Sequence, residues 1–376
     1  MQKKRICLNM IVKDETPVLG RLFASVKDVI SYYVIVDTGS TDGTPEFIEQ
    51  WMAEAGIPGE VHRHEWVNFG VNRNQALDYA YQCGQADWLL IIDADEELAC
   101  SDLSCFGKLK PGVNYRLEKR YGSVRYGVIA LLDITQTRWR WQGVVHEYLE
   151  HVEGPDLRGA LPEAWIIIHA GEGARSTGVS EEEKFLKDAA LLEAELVKNP
   201  EDCRSRFYLA QSYKDAGRIE KAYENYLLRA DMPGWVEENY VAQYRAGRMA
   251  VALGKPYGEI ASLFLKAYEM RPGRGAEPLH DLAAYCRGKD WFAQAYLFAK
   301  MGSQIAYPED ILFVETDIFR WRILDELAVA AYWTGRYAEC RDVCNKLLKR
   351  GIPDAHIKRI RENLEFAVQK LRVKRD

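Results

Sequence analysis

No stretch of the 376-residue chain approaches the ~18 consecutive apolar residues that a membrane span needs. The basic start, Met1-Gln2-Lys3-Lys4-Arg5, precedes a short apolar run from Ile6 to Val12. That run contains Asn9 and leads to no small-residue cleavage site, so it reads as a first strand and not as a signal peptide. Zinc-type cysteine spacing is missing too. The eight cysteines are scattered, none forms Cys-x-x-Cys, and Cys100/Cys105 and Cys340/Cys344 have no matching partners. Reduced, mostly buried thiols in a cytoplasmic protein are expected. Gly-x-Gly-x-x-Gly and Gly-Lys-Ser/Thr are absent, which excludes the usual dinucleotide and P-loop fingerprints. The net charge of −6 carries no overall nucleic-acid footprint.

What is present points to two domains, the default at this length. Trp88-Leu89-Leu90-Ile91-Ile92 is a strand buried on both faces, and it stops at Asp93-Ala94-Asp95-Glu96-Glu97. Such strands end at the carboxyl edge of a sheet, where α/β proteins bind ligands. Two readings of the acids stand side by side. One is a divalent cation shared with phosphates, for which the Asp93-x-Asp95 pair is suited. The other is a solvated strand end leading into a helix N-terminus.

Upstream, Ile6–Val12 and Tyr32–Val36 read as further buried strands, a third is expected around Glu60 to His64, and helical spacing falls between them. Alternating strands and helices predict β-α-β units and a mostly parallel sheet. Glu15, Asp37 and Asp93/Asp95 then share one edge, an acidic site calling for a metal and its anionic ligand. In the loop from Asp37 to Thr44, Asp37 could bond a base or ribose, while Asp42 or Ser40 could cap the helix opened by Pro45.

The succession Asn9-Met10-Ile11-Val12-Lys13-Asp14-Glu15, Val36-Asp37-Thr38-Gly39-Ser40-Thr41-Asp42-Gly43-Thr44, Asn72-Arg73-Asn74-Gln75-Ala76-Leu77 and Asp93-Ala94-Asp95-Glu96 resembles the family-2 glycosyltransferases. More narrowly, it resembles their bacterial branch fused to tetratricopeptide repeats. The resemblance covers about the first half of the chain. It implies a GT-A fold, a nucleotide-sugar donor, commonly a UDP-sugar, and Mn²⁺ or Mg²⁺. It also implies that Met10, Val12 and Glu15 border the nucleoside and Asp37 bonds the base. Arg73 would face the base or diphosphate, Asp93 the ribose and metal, and Asp95 would ligate the metal.

Further along, Arg138-Trp139-Arg140-Trp141-Gln142-Gly143-Val144-Val145-His146-Glu147 ends on the His-Glu pair that the resemblance places at the base of an inverting transferase. Glu147 is the expected base and Asp133 the runner-up. Pairing with a nearby arginine is the bland alternative for Glu147. The basic, Trp-rich stretch before it would be acceptor-side surface. Trp165-Ile166-Ile167-Ile168-His169 is a last strand, and the resemblance makes His169 a second metal ligand, although a lone histidine is more often structural. Eight basic residues against two acids between Leu103 and His146 read first as a solvated face. Gly171 to Gly178 is expected as a flexible connector, so the domains divide as 1–178 and 179–376.

Beyond Glu181 the strand-like runs vanish. Four similar segments, beginning at Phe207, Tyr244, His280 and Glu326, run to Gly217, Gly254, Gly288 and Gly335, at intervals of 37, 34 and 47 residues. The tetratricopeptide period is 34 residues of helix-turn-helix, so degenerate repeats are expected. Stacked repeats form concave surfaces that suit a peptide or protein, with a second copy of the chain as the competing partner. A protein or peptide acceptor is therefore expected ahead of nucleic acid. A non-catalytic scaffold and a nucleotidyltransferase are the alternative functions.

Overall fold

The computed structural model describes residues 4–169, 171–173 and 180–373. The expected connector, Gly171 to Gly178, lies outside the described residues from position 174 on. The chain divides into two compact units, Met1–Gly217 and Arg218–Asp376, so the first two helices after the sheet belong to the first unit. Among the described residues no helix is long and apolar enough to cross a membrane.

The first unit opens as alternation predicts. Strand β1 (Ile6–Val12), helix α1 (Thr16–Val26), β2 (Tyr32–Asp37), α2 (Thr44–Glu54), β3 (Gly59–Arg63), α3 (Phe69–Gln82) and β4 (Trp88–Ile91) follow in order. The sheet continues with β5 (Glu96–Cys100), β6 (Val113–Tyr121), β7 (Val124–Asp133) and β10 (Leu157–Ile168). Between β7 and β10, β8 (Arg138–Gln142) and β9 (Tyr148–Glu153) form a separate antiparallel pair. Eight strands of this unit take the order β3-β2-β1-β4-β7-β6-β10-β5.

The β3-β2-β1-β4 half is parallel throughout and β6 pairs parallel with β10, while β7 runs antiparallel to both β4 and β6, and β5 to β10. Along these eight strands the sheet keeps more parallel than antiparallel pairs, as expected, but is mixed beyond β4. Residues 96–168 hold only a short 3₁₀ turn at Leu103–Lys108, and the crossover between the parallel β6 and β10 is made by β7, β8 and β9 in place of a helix. The result is a GT-A-type sheet domain followed by helices.

Side chains from alternate faces of β1, β2 and β4 divide between two cores. Leu8, Met10, Val12, Ile35 and Leu90 pack with α1 and α2, while Cys7, Val34, Leu89 and Leu132 pack with α3 and Trp139. Asn9, buried within the apolar strand, donates through Nδ2 to Val34 O at 3.2 Å and Ala76 O at 2.9 Å. A buried amide without those partners would destabilise the strand. Helix α3 starts three residues before the expected Asn72, with the Asn68 side chain accepting from the Val71 amide. Its first turn shows little amphipathic period because Val71 is exposed.

Helices α4 (Glu181–Lys198) and α5 (Cys203–Asp215) close the first unit. The second unit runs α6 (Ile219–Asp231), α7 (Val236–Ala252), α8 (Tyr257–Met270), α9 (Ala276–Gly288), α10 (Phe292–Gly302), α11 (Ile323–Trp333), α12 (Tyr337–Lys349) and α13 (Asp354–Val373). The four repeat-like segments fall on α5, α7, α9 and α11, each the leading helix of a pair. Gly217, Gly254 and Gly335 take positive φ at the turns, but after α9 that conformation belongs to Asp290 and not to Gly288. All eight cysteines are free, as expected.

Candidate active site

Strand β4 is the centre of the sheet, and its register fixes what stands at the carboxyl edge. Asn9 is level with Ile91, and Val12 with Asp37. Asp93 and Asp37 therefore lie at the same edge with β1 between them, about 10 Å apart at ordinary strand spacing. The expected shared edge of acids is present.

Its charge balance differs from the expectation. The crowded acids are neutralised largely by the chain's own cations. Arg73, on α3 and almost fully buried, donates from Nη2 to Asp93 Oδ1 at 2.6 Å and from Nε to Glu147 Oε1 at 2.5 Å. Its guanidinium also lies 4.9 Å from the Trp141 ring centroid. Lys119, on β6, pairs with Glu96 and lies 3.6 Å from Asp93 Oδ2. The sequence puts Lys119 in the basic stretch that reads as a solvated face. It is buried because β6 returns beside the acidic strand end, and only the strand order reveals that. The period-2 spacing of Tyr115, Leu117 and Lys119, which puts the lysine on the face of two buried side chains, is a signal the sequence does carry.

Burial pushes the Asp93 carboxyl up, but Arg73 and Lys119 outweigh it and hold it at about 2. Burial also lifts Glu96 to about 7, with Lys119 opposing. Lys119 is held charged, above its ordinary value, because Glu96 and Asp93 outweigh the cost of its burial. Asp95 stands apart. Burial and the neighbouring Asp93 charge raise it, and no side chain among the described residues bonds or pairs with its carboxylate.

Among the described residues no three His, Cys, Asp or Glu side chains gather for a metal. The His169 amide donates to Asp95 O at 3.0 Å, and its Nε2 lies 3.0 Å from Glu97 Oε2. The imidazole is thus beside Asp95 but engaged with Glu97. Gly173 lies against Asp95, so that a Cβ there would sit 3.4 Å from Oδ2. An unpaired, partly buried carboxylate fits a hard cation that draws its other ligands from phosphates and water, as Mg²⁺ does. It does not fit a cage made of protein ligands alone.

The remaining expected residues divide. Met10 and Val12 are core side chains, and Val12 O accepts from both the amide and hydroxyl of Thr38. Only their backbone could border a nucleoside. The Asp37 carboxylate is buried and accepts from the Gly39 and Ser40 amides at 3.2 Å. Glu15 precedes α1, its amide donating to Thr44 Oγ1 at 2.9 Å. Asp42 accepts from the Thr44 amide and hydroxyl, but the N-cap of α2 is Gly43 with no side-chain capping bond, so neither Asp42 nor Ser40 occupies the expected cap position.

Asp133 is at the wrong end: it pairs in register with Trp88, at the start of β4. Its carboxylate accepts from Gly112, Thr135 and Gln136, which makes it a turn-builder. The Trp-rich stretch alternates, with Arg138, Arg140 and Gln142 exposed and the tryptophans turned inward. Trp139 is core, Arg138 lies over Tyr81 at 4.7 Å, and Arg140 pairs with Asp78 at 2.5 Å.

Comparison with known proteins agrees with the geometry. Residues 7–104 match the family profile described as Glycosyl transferase family 2. A TPR repeat-containing protein of Synechococcus elongatus is 31% identical over 185 residues, 45% of this chain and 43% of that protein. A lipopolysaccharide core biosynthesis glycosyltransferase of Rhizobium meliloti is 37% identical over 93 residues, 25% of this chain and 30% of that one. Among solved structures, the C-terminal part of a TPR repeat-containing protein from Cytophaga hutchinsonii aligns with a TM-score of 0.36 at 12% identity, over 44% of this chain and 59% of that one.

The chain spans less than half the length of these curated relatives. Residues 7–104 are thus similar to a family-2 glycosyltransferase domain, and paired helices follow the sheet. Glu147 and His169 lie beyond the segment that the family profile matches.

Proposed function

We propose that the protein is a metal-dependent, inverting glycosyltransferase that moves a sugar from a nucleotide-sugar, a UDP-sugar by preference, to a protein or peptide. The observation that carries this reading is the Asp95 carboxylate. Among the described residues it makes no ion pair, with Lys119 and Lys184 acting on it only from a distance, at an edge where Arg73 and Lys119 engage Asp93, Glu96 and Glu147 directly. Asp95, with His169 if its ring leaves Glu97, would hold Mn²⁺ or Mg²⁺. A bound divalent cation supplies charge stabilisation to the departing diphosphate.

The chain's own residues do the rest. Asp37, at the edge of β2, would meet the base, and Asp93 the ribose. Arg73 binds two carboxylates in the donor-free state, and an incoming diphosphate offers it a third, more highly charged partner. As the guanidinium turns toward the diphosphate, Glu147 is released. Its carboxylate then takes the proton from the acceptor hydroxyl as that oxygen attacks the anomeric carbon opposite the leaving group.

The paired helices favour a protein or peptide acceptor, since such arrays present concave surfaces. A polyanionic acceptor such as nucleic acid is disfavoured by the basic stretch itself. Lys119 is buried, Arg120 lies over Trp165 at 4.0 Å, and Arg138 and Arg140 are already engaged.

The test is a thermal-shift panel of nucleotide-sugars with and without Mn²⁺. A specific donor should stabilise the protein only with the metal, by about 2.7 kcal/mol at a hundredfold excess over Kd. Metal-independent shifts, or none across the panel, would remove the reading.

A further inference from the structure

We infer that Arg204 and Tyr208 of α5 are positioning residues for Glu147, so that the first helices after the sheet complete the transfer site. The inference rests on the reading of Glu147 as the base.

Glu147 sits in the turn of the β8–β9 pair, a two-stranded sheet of its own. An isolated pair of strands is marginally stable and cannot fix a side chain at its tip. The turn also contains two positive-φ residues, Gly143 at 96° and His146 at 53°. The second is a conformation that residues with a side chain avoid. Outside support is therefore required, and it comes from two sides.

On one side stands α3. The Asn74 side chain exchanges two 2.9 Å bonds with the backbone of Trp141. Gly70 lies so close to Gly143 that a Cβ would meet Gly143 O at 2.5 Å. Arg73 holds the Glu147 carboxylate itself.

On the other side stands α5. The Tyr208 ring stacks on the His146 imidazole, with centroids 4.1 Å apart and planes 11° from parallel. Arg204 donates from Nε to His146 O at 3.2 Å, and its guanidinium lies 4.8 Å from the rings of both Tyr148 and Tyr208. The α5 contacts thus grip the residues immediately before and after Glu147. Asp202 anchors the start of that helix by accepting from the amides of Arg204 and Ser205. Arg73 sets the charge environment of the carboxylate, while Arg204 and Tyr208 set its location. Misplacing a catalytic group by about 1 Å can cost a hundredfold in rate.

The experiment uses the full chain with Tyr208→Ala, Arg204→Met, the conservative Tyr208→Phe, and Glu147→Gln as reference. The first readout is hydrogen–deuterium exchange of the segment 143–148, which needs no donor. The second is Mn²⁺-supported UDP release from UDP-glucose. Tyr208→Ala and Arg204→Met should speed exchange at 143–148 and leave β4 and α3 protected. They should lower kcat by about 10- to 100-fold with KM for UDP-glucose within about twofold. Tyr208→Phe keeps the ring and should restore most of both.

Unchanged exchange at 143–148 in both disruptive variants overturns the proposal, whether or not UDP-glucose is turned over. So does an undiminished kcat in both where Glu147→Gln loses turnover. Full turnover in Glu147→Gln instead removes the base assignment, a separate failure. If Tyr208→Ala or Arg204→Met does not fold, Arg204→Lys replaces it and is read by the same exchange criterion.

Discussion

Arg73 donates to Glu147 Oε1 at 2.5 Å across 74 residues of sequence, and the same guanidinium holds Asp93 at 2.6 Å. One buried cation thus ties the proposed base to the proposed donor site. Replacing it by Leu leaves two carboxylates without their cation. Arg73→Leu should cost about 3–5 kcal/mol in urea unfolding, the usual penalty for breaking a buried pair. Nucleotide binding by calorimetry should weaken in the same variant.

Asp93 and Asp95 are two residues apart and should behave oppositely. Asp93 is paired and its pKa lies at about 2, so Asp93→Asn should destabilise at pH 7. Asp95 makes no ion pair among the described residues and its pKa is raised, so Asp95→Asn should leave stability unchanged or improved. The same Asp95→Asn should abolish a Mn²⁺-dependent donor shift of about 2.7 kcal/mol at a hundredfold excess over Kd. Thermal shifts with and without metal measure both.

Lys119 and Glu96 form the second buried pair. Lys119→Met should destabilise by about 1–3 kcal/mol at pH 7, because Glu96, already lifted to about 7, then rises further and stays buried as a neutral acid that has lost its partner. Adding Glu96→Gln should recover part of the loss, and a double-mutant cycle in denaturant reads the coupling.

The two candidate bases separate cleanly. Glu147→Gln should lose transfer and keep donor binding. Asp133→Asn should keep turnover but lose about 1–3 kcal/mol of stability, because its carboxylate organises three backbone amides. Turnover and unfolding assays on both variants decide the assignment.

In the helical unit, burial alone would raise Asp281, but Arg248 at 2.6 Å and His280 at 2.8 Å hold its carboxyl well below the usual range. A depressed folded pKa stabilises above the unfolded value of about 3.9 and ceases to do so as pH falls below it. Wild-type stability should therefore drop below about pH 4. Asp281→Asn should flatten that acid limb while costing about 3–5 kcal/mol at neutral pH. Urea midpoints between pH 2 and 7 test it.

The sequence by itself determined the alternating strands and helices from Ile6 to Ile91, the edge where the acids collect, and the helices that carry the four repeat-like segments. Those features rest on local periodicity and turn chemistry, which neighbours along the chain carry. The tertiary structure alone decided which acid remains unpaired, that Lys119 is buried, that Asp133 lies at the far end of β4, and that α5 grips the turn holding Glu147. The physical reason is range. Charge pairing and ring stacking act over a few ångströms of space, and here they join residues 23 to 74 positions apart, which no periodicity records.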